Sequence, residues 1–351
     1  MPPIHTATDN LRSRPGDPRA HPRDPLLRVR DLRVSFALDE GTVRAVDGLS
    51  FDVYPGQVLG IVGESGCGKS VTMRAVLGLI DPPGKITGGE ILYRRDGTSI
   101  DLTRLNKRGP DMRALRGAEI ALIPQEPMAA FSPVHTVGSQ IVEAIRLHDP
   151  AVSRREARGR TVDLFRDVGI SMPEQRIDAY SWQLSGGLRQ RAMIAMALSC
   201  KPRLLIADEP TTAIDVTTQA QILALLRELQ SKYDTAIVFI THDLGVIARM
   251  ADHVVVMYLG RVMEEGPVDG IFHAPKHPYT KALLRSMPGL HGQTRVALPV
   301  ISGALPHPFN RPPGCPFHPR CPEILPNRCA TEVPKASSVS CFLYHGEAEP
   351  A

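Results

Sequence analysis

A glycine-rich octapeptide in the first quarter of the chain has the residue types of a phosphate-binding loop. It reads Gly63-Glu64-Ser65-Gly66-Cys67-Gly68-Lys69-Ser70 and fits the pattern G-x-x-x-x-G-K-[ST]. Its glycines allow backbone N–H groups to point at phosphate oxygens. Lys69 is predicted to reach the β- and γ-phosphates of a nucleotide, and the Ser70 hydroxyl is predicted to bind Mg²⁺. Cys67 occupies a free position of the pattern and is interpreted as a small filler.

The segments that flank this loop predict the elements that must position it. Residues 57–62 are short, apolar and β-branched, which indicates a buried strand. The stretch from Val71 to Leu79 indicates a helix, whose positive dipole end would face the phosphates. Strand, glycine loop and helix in this order favour a nucleotide site over a chance match to the pattern.

Two carboxylates follow another predicted strand further along the chain. Residues 204–207 are apolar, and Asp208 and Glu209 come directly after them. A strand beside the phosphate loop would bring Asp208 into the Mg²⁺ shell. Glu209 could then polarise a water for attack on the γ-phosphate. Taken alone, the pair is equally compatible with a solvated acidic turn.

Gln125 and His242 each end an apolar run in the same way. Gln125 follows residues 120–124, and His242 follows the predicted strand 237–240 and Thr241. Gln125 could touch Mg²⁺ or the attacking water, and His242 could contact the γ-phosphate. Without their context, both residues are also compatible with a purely structural role.

A second candidate anion site lies far downstream of the phosphate loop. Leu184-Ser185-Gly186-Gly187 precedes a predicted helix that runs from Leu188 to Leu198. A small hydroxyl and exposed N–H groups at a helix start attract an anion. One phosphate loop leaves no second phosphate in the same chain for this segment to bind.

Together and in this order, these segments resemble the ATP-binding cassette (ABC) ATPases over roughly residues 26–270. The Leu-Ser-Gly-Gly signature is the most specific of them, because it is largely confined to that family. The resemblance implies that the signature of one subunit closes over ATP bound to the phosphate loop of another. It therefore implies two cassettes, two interfacial ATP molecules with Mg²⁺, and ATP hydrolysis.

The resemblance also assigns residues to the site. It implies that Phe36 stacks on adenine where the family more often has Tyr, and that Asp215 belongs to a loop at the nucleotide. The cofactor-binding positions are Phe36, residues 63–71, Gln125, Asp208, Ser185, Gly186, Gly187 and Asp215. Glu209, His242 and Gln125 are the catalytic positions, and Ser70, Gln125 and Asp208 the Mg²⁺ ligands.

The resemblance implies an α/β fold: a P-loop NTPase cassette with a parallel-sheet core, an antiparallel β subdomain and a helical subdomain. We expect a disordered tail over residues 1–25, which are rich in Pro and Arg. The cassette spans 26–270, with its helical subdomain at about 128–182. A small Cys-rich C-terminal extension covers 271–345.

Composition narrows the class of protein further. The 351 residues are 42% hydrophobic and carry a net charge of +4, which gives no argument for a nucleic-acid partner. No apolar run is long enough to span a bilayer, and the N-terminus lacks a secretory signal. We expect a peripheral subunit on the cytoplasmic face of the cell (inner) membrane. It would work with two permease subunits, a second ABC ATPase and an extracytoplasmic solute-binding protein.

Two stretches resemble the oligopeptide and dipeptide importers within this family. One comprises Glu126-Pro127-Met128 and Phe131-Ser132-Pro133, where the importers usually have Asn before the last Pro. The other is the segment from His273 to Leu284, which contains His277-Pro278-Tyr279. The resemblance implies import of di- or oligopeptides. Members that carry nickel or another small solute, an exporter cassette, and a soluble ABC ATPase are the alternatives.

Four of the six cysteines lie close together near the C-terminus: Cys315, Cys321, Cys329 and Cys341. Since this tail has no apolar periodicity, something other than its own core must hold it together. Disulfides are disfavoured in the cytosol, and the C-x₂₋₄-C pairs typical of structural zinc are absent. The block from Gly314 to Pro322 resembles extensions in which four cysteines hold a [4Fe–4S] cluster. A cluster, zinc, or free thiols remain open.

Overall fold

The computed structural model describes residues 24–126, 130–211, 215–287, 301–307 and 309–345. The expected disordered tail therefore lies almost entirely outside the described residues, as do parts of the loops after Gln125 and Glu209. Of the C-terminal extension predicted over 271–345, only the part after residue 300 is called the extension below.

A largely parallel sheet forms the centre of the fold. Its strands are β3 (Val58–Val62), β6 (Ile120–Ile123), β7 (Leu204–Asp208), β8 (Ala236–Ile240), β9 (His253–Tyr258) and β10 (Arg261–Pro267). Their order is β10-β9-β3-β8-β7-β6, and only the β10–β9 pair is antiparallel. Strands β3, β7 and β8 are buried at every residue, which explains their continuous apolar sequences.

A second, antiparallel sheet packs beside the first. It contains β1 (Leu27–Leu38), β2 (Gly41–Val53), β4 (Gly84–Arg95) and β5 (Thr98–Asp101) in the order β2-β1-β4-β5. Buried residues alternate with more exposed ones along β1 and β2, as expected for strands with one face on a core. Apolar side chains of β1, β2 and β4 share a core with those of β3 and β8.

The helices flank these sheets and supply the remaining core. They are α1 (Lys69–Val76), α2 (Pro110–Leu115), α3 (Val137–His148), α4 (Arg154–Asp167), α5 (Pro173–Arg176), α6 (Gly186–Leu198), α7 (Val216–Tyr233), α8 (Leu244–Met250), α9 (Val268–His273), α10 (Pro278–Arg285) and α11 (Pro326–Cys329). Helices α3 and α4 lie in the region predicted as the helical subdomain, and both pack on α6, which follows that region. The expected fold class is confirmed.

Two helices begin earlier than their sequence pattern predicts. Helix α1 starts at Lys69 instead of Val71, and it ends at Val76 because Gly78 adopts φ 61° in a left-handed cap. The Leu79 N–H then bonds to the Arg74 carbonyl at 2.7 Å. Helix α6 starts at Gly186 instead of Leu188, so the signature glycines lie within its first turn.

The extension packs against the cassette and shares its hydrophobic core. Val339 forms an antiparallel bridge with Glu264 of β10, and the Ser340 N–H donates to the Met263 carbonyl at 2.8 Å. Phe317 is completely buried, with its ring centroid 5.4 Å from that of Tyr258. Docking on the cassette therefore stabilises the extension. The sequence of the tail predicted that something other than its own core holds it together, but not that the cassette does so.

None of the helices in the described parts of the chain combines the length and apolar character needed to cross a membrane.

Candidate nucleotide site

The parallel sheet gathers the polar segments at the carboxyl ends of its strands. The phosphate loop follows β3, Gln125 follows β6, Glu209 follows β7 and His242 follows β8. Ligands of open parallel sheets bind at this edge, because the loops after neighbouring strands meet there. Segments that are far apart in the sequence thereby form one site.

Close backbone packing holds the phosphate loop in place. Gly63 has φ 158° and Gly68 has φ 100°, and a Cβ on either would overlap a backbone carbonyl oxygen, that of Met257 or of Ala45. Gly66, by contrast, has open space around it, since a Cβ placed there would meet nothing within 4 Å among the described residues beyond its chain neighbours. Ser65 and Gly66 are exposed, so this part of the loop is accessible to a ligand.

Lys69 lies over the inner side of this loop. Its side chain is 5% exposed, and Nζ donates to the carbonyl oxygens of Gly63 at 2.7 Å and Glu64 at 3.1 Å. The ammonium is also 3.8 Å from the Cys67 sulfur, a buried thiol whose pKa is raised by burial. Lys69 therefore supplies a charged donor at the loop, with the buried Cys67 packed beside it.

Ser70 and Asp208 meet at the base of the site. The Ser70 hydroxyl donates to Asp208 Oδ1 at 3.0 Å. Burial raises the pKa of Asp208, and the neighbouring Glu209 carboxylate raises it further. A hydroxyl and a carboxylate oxygen at hydrogen-bonding distance form a hard-oxygen donor set that suits Mg²⁺.

Glu209 joins the two other predicted catalytic side chains. Gln125 Nε2 donates to Glu209 Oε2 at 3.1 Å, and His242 Nδ1 lies 3.2 Å from Glu209 Oε1. Glu209 has φ 47°, a conformation that costs a non-glycine residue on the order of 1–3 kcal/mol and is concentrated at functional sites. Three loops therefore place an amide, a carboxylate and an imidazole within contact of one another.

The signature segment presents a second polar surface. Ser185 caps α6, with its hydroxyl accepting the Leu188 N–H at 3.4 Å, and both Ser185 and Gly186 are exposed. Gln190, buried on the same helix, donates to the Pro210 carbonyl just after Glu209. The signature helix is therefore connected to the acidic strand end, while its own N-terminus faces outward.

Three predicted site residues have contacts that explain a structural role. Phe36 is half-buried on β1 and packs against Gly84, where a Cβ would clash with its ring. Asp215 caps α7 by accepting the Thr218 N–H at 2.9 Å, and its hydrogen bonds to Thr218 lower its pKa. Val71 packs against the core of the antiparallel sheet. The nucleotide roles of these residues stay predictions.

Sequence reasoning missed two residues that contact the phosphate loop. Arg320 of the extension forms an ion pair with Glu64 at 2.7 Å, and the Tyr279 hydroxyl accepts the Glu64 N–H at 3.1 Å. Both belong to segments that the importer resemblance identified. No spacing in the sequence connects either residue to the loop, because 256 positions separate Glu64 from Arg320.

The four clustered cysteines line one small cavity with His277, Pro278 and Phe317. None of them is in a disulfide. Burial raises the pKa of Cys315 to about 12 and that of Cys321 to about 11. Among the residues that the structure describes, no three His, Cys, Asp or Glu side chains form a group that could hold a metal ion.

Comparisons with known proteins agree with this geometry. Residues 46–212 match the family described as "ABC transporter", and residues 263–329 match "Oligopeptide/dipeptide transporter, C-terminal region". The dipeptide transport ATP-binding protein DppD of Escherichia coli is 48% identical and aligns over 88% of this chain and 92% of its own. The oligopeptide transport ATP-binding protein OppD of Bacillus subtilis is 49% identical and aligns over 83% and 80%.

A solved structure extends the agreement to three dimensions. A dimeric ATP-binding cassette in a post-hydrolysis state, with ADP and Pi bound, superposes with a TM-score of 0.60 at 25% identity. The superposition covers 69% of this chain and 98% of that one. On the cassette site, the signature and these relatives, the chain belongs to the ABC transporter family, in its oligopeptide/dipeptide branch, and is an ATPase.

Proposed function

We propose that this chain is the ATP-hydrolysing subunit of a membrane importer for di- or oligopeptides. The observation that carries the proposal is that one chain matches both the ABC transporter family and the C-terminal region of peptide transporters. The relatives named for dipeptide and oligopeptide transport align over most of their own length, which supports the same cargo class here.

The residues at the carboxyl edge of the sheet take defined roles in this proposal. Lys69 turns from the loop carbonyls towards the β- and γ-phosphates, beside the loop N–H groups. Ser70, Asp208 and Gln125 would hold Mg²⁺, which neutralises phosphate charge when bound. Glu209 and His242 would act directly on the attacking water and the γ-phosphate.

Glu209 is the proposed catalytic carboxylate. It accepts a hydrogen bond from the attacking water and polarises it towards the γ-phosphate, while Gln125 orients the same water. His242 contacts the γ-phosphate from the other side of Glu209. Glu209 contacts both Gln125 and His242, and this proximity of the three side chains supports the roles proposed for them.

The exposed signature acts on a second subunit. Ser185, Gly186 and Gly187 would bind the γ-phosphate of ATP that is held by the opposing phosphate loop. Closure of two cassettes would move two permease subunits between two states, and hydrolysis would reset them. The second cassette is a paralogue or an identical copy. The complex would lie at the cytoplasmic face of the cell membrane, with an extracytoplasmic binding protein delivering the solute.

Four cysteines line one cavity, and a [4Fe–4S] cluster takes four thiolate ligands, so we propose a cluster as its occupant. Iron and acid-labile sulfide at about four each per chain, in protein purified without oxygen, is the expected result. Stoichiometric zinc, or neither metal, would favour the alternatives.

The transport function is tested on the membrane complex captured through this subunit and purified in detergent. We expect ATPase activity to rise when a peptide-loaded binding protein is added, and not when the binding protein is empty. The Glu209→Gln complex is the matched control for contaminating ATPases. Stimulation by a nickel-loaded binding protein, and not by a peptide-loaded one, would indicate that the cargo is nickel, which other members of the same branch carry. Activity that needs no membrane partner would favour a soluble ATPase.

A further inference from the structure

Arg320 makes a two-point contact with the phosphate loop. Its Nη1 and Nη2 atoms donate to the two carboxylate oxygens of Glu64, at 2.7 Å and 3.0 Å. The Arg320 side chain is 4% exposed and the Glu64 side chain 25% exposed, so the pair is largely removed from water. Paired geometry of this kind is stronger than a single charged contact, and a lysine cannot reproduce it.

Further contacts hold the guanidinium in this orientation. Nη1 also donates to the Tyr258 hydroxyl at 3.2 Å, and Nε donates to the Ser302 carbonyl at 3.2 Å. Nη2 donates to the Ile301 carbonyl at 3.4 Å. Every nitrogen of the side chain is therefore used, and residues of the extension itself aim the group at Glu64.

A residue that follows the cassette in the sequence also holds the backbone of Glu64. Its N–H donates to the hydroxyl of Tyr279, a fully buried residue on α10. The Tyr279 ring packs against Phe317 with centroids 5.2 Å apart, and Phe317 lies between Cys315 and Arg320 in the sequence. Both the side chain and the amide of one loop residue thus depend on residues outside the cassette's own motifs.

The charge of Glu64 makes this contact consequential. Its carbonyl accepts a hydrogen bond from Lys69, so Glu64 lies one side chain away from the predicted phosphate ligand. An unpaired carboxylate there would repel a nucleoside triphosphate, and it would do so strongly because the site is partly desolvated.

We propose that Arg320 is a positioning residue of the nucleotide site, which neutralises Glu64 so that the phosphate loop can bind ATP. The extension thereby sets the ATP affinity of the cassette on which it docks. This inference rests on the proposed role of residues 63–70 in binding ATP.

Equilibrium binding of Mg-ATP to the full-length chain tests the inference, with unfolding temperature measured in parallel. Arg320→Met should weaken ATP binding about tenfold, and Arg320→Lys should weaken it less because it retains charge without the fork. The double variant Glu64→Gln/Arg320→Met should recover most of the affinity, since no carboxylate is left unpaired. A merely structural loss of the extension contact would not be rescued in this way.

Arg311→Met is the matched control. Arg311 also reaches from the extension to the cassette, where it pairs with Asp47 at 3.0 Å. Asp47 keeps its ion pairs with Arg33 and Arg261, so ATP affinity should stay within about twofold of the native value.

Two results would overturn the inference: native affinity in Arg320→Met, or a double variant as weak as Arg320→Met alone. If Arg320→Met does not fold, Arg320→Lys and its pairing with Glu64→Gln give the same comparison. Lys69→Ala separates the two proposals, because native ATP binding by that variant would refute the phosphate-loop assignment itself.

Discussion

The phosphate loop and the signature segment differ in how many contacts their polar residues make within this chain. At the carboxyl edge of the sheet, Lys69 bonds to its own loop and Glu209 contacts both Gln125 and His242. At the signature, the Ser185 hydroxyl caps its own helix, and among the described residues a Cβ placed on Gly186 would meet nothing within 4 Å outside its own helix.

This difference indicates two kinds of binding surface. The edge of the sheet is a site whose groups already hold one another before any ligand arrives. The signature is an exposed helix N-terminus, with Ser185 and Gly186 open to solvent, and such a terminus suits an anion carried by a second molecule. We therefore expect substitutions at the first surface to act within one subunit, and those at the second to act only after assembly.

The largest expected effect is that of Glu209→Gln. Replacing the carboxylate removes the group that polarises the attacking water, so the ATPase rate of the assembled complex should fall on the order of 10²–10⁴-fold. Mg-ATP binding to the single chain should be retained, because the phosphate loop is unchanged. A radiometric phosphate-release assay beside a binding titration makes the measurement. Normal turnover would remove Glu209 from its proposed role.

Gly68→Ala should distort the phosphate loop by a steric clash, without removing any catalytic group. The new Cβ would meet the Ala45 carbonyl oxygen at a backbone φ of 100°. We expect a loss of about 2–4 kcal/mol in the free energy of unfolding, together with weakened ATP binding. Urea denaturation of the single chain provides the stability. An unfolding free energy equal to that of the native chain would show that the loop can relax around the methyl group.

Gly186→Ala is the same substitution on the second surface, and its expected effect is smaller. Open space around Gly186 and its place in the first turn of α6 should leave stability unchanged or raise it by about 0.4–1 kcal/mol. ATP binding by the single chain should also be unchanged. Only the ATPase rate of the assembled cassettes should fall, about tenfold, because the methyl group crowds the opposing phosphate.

The Gly186→Ala result separates the two surfaces. A stability loss as large as that of Gly68→Ala would mean that the signature packs within its own chain. Native activity in the assembled complex would mean that no phosphate approaches Gly186.

The sequence predicts contacts between residues that are close together along the chain better than contacts between residues that are far apart. The phosphate loop, β3 and α1 are contiguous, so their residue types alone predict both the elements and the chemistry. Gln125 and His242 meet Glu209 across 84 and 33 positions, and only the strand ends that precede them hint at the meeting. The resemblance to the family predicts that these residues meet. Local sequence does not, because it does not specify which parallel strands lie next to each other.

The extension marks the limit of such reasoning. Its packing uses Phe317, an isolated aromatic residue without helical or strand periodicity around it. The Arg320 guanidinium reaches Glu64 only because a tertiary docking surface brings the two together, and nothing in either local sequence specifies it. Helix starts were also misplaced by two residues at α1 and α6, because glycine and polar residues of a first turn resemble a loop.

One exposed side chain beside the signature has a use in spectroscopy. Trp182 is the only tryptophan among the 351 residues, and it lies three positions before Ser185, 60% exposed and stacked on Tyr180 at 5.6 Å. Indole emission moves to shorter wavelength when water leaves the ring. The native chain therefore carries its own fluorophore at the face where a second cassette would close. Emission recorded as ATP is added would follow that closure without any label.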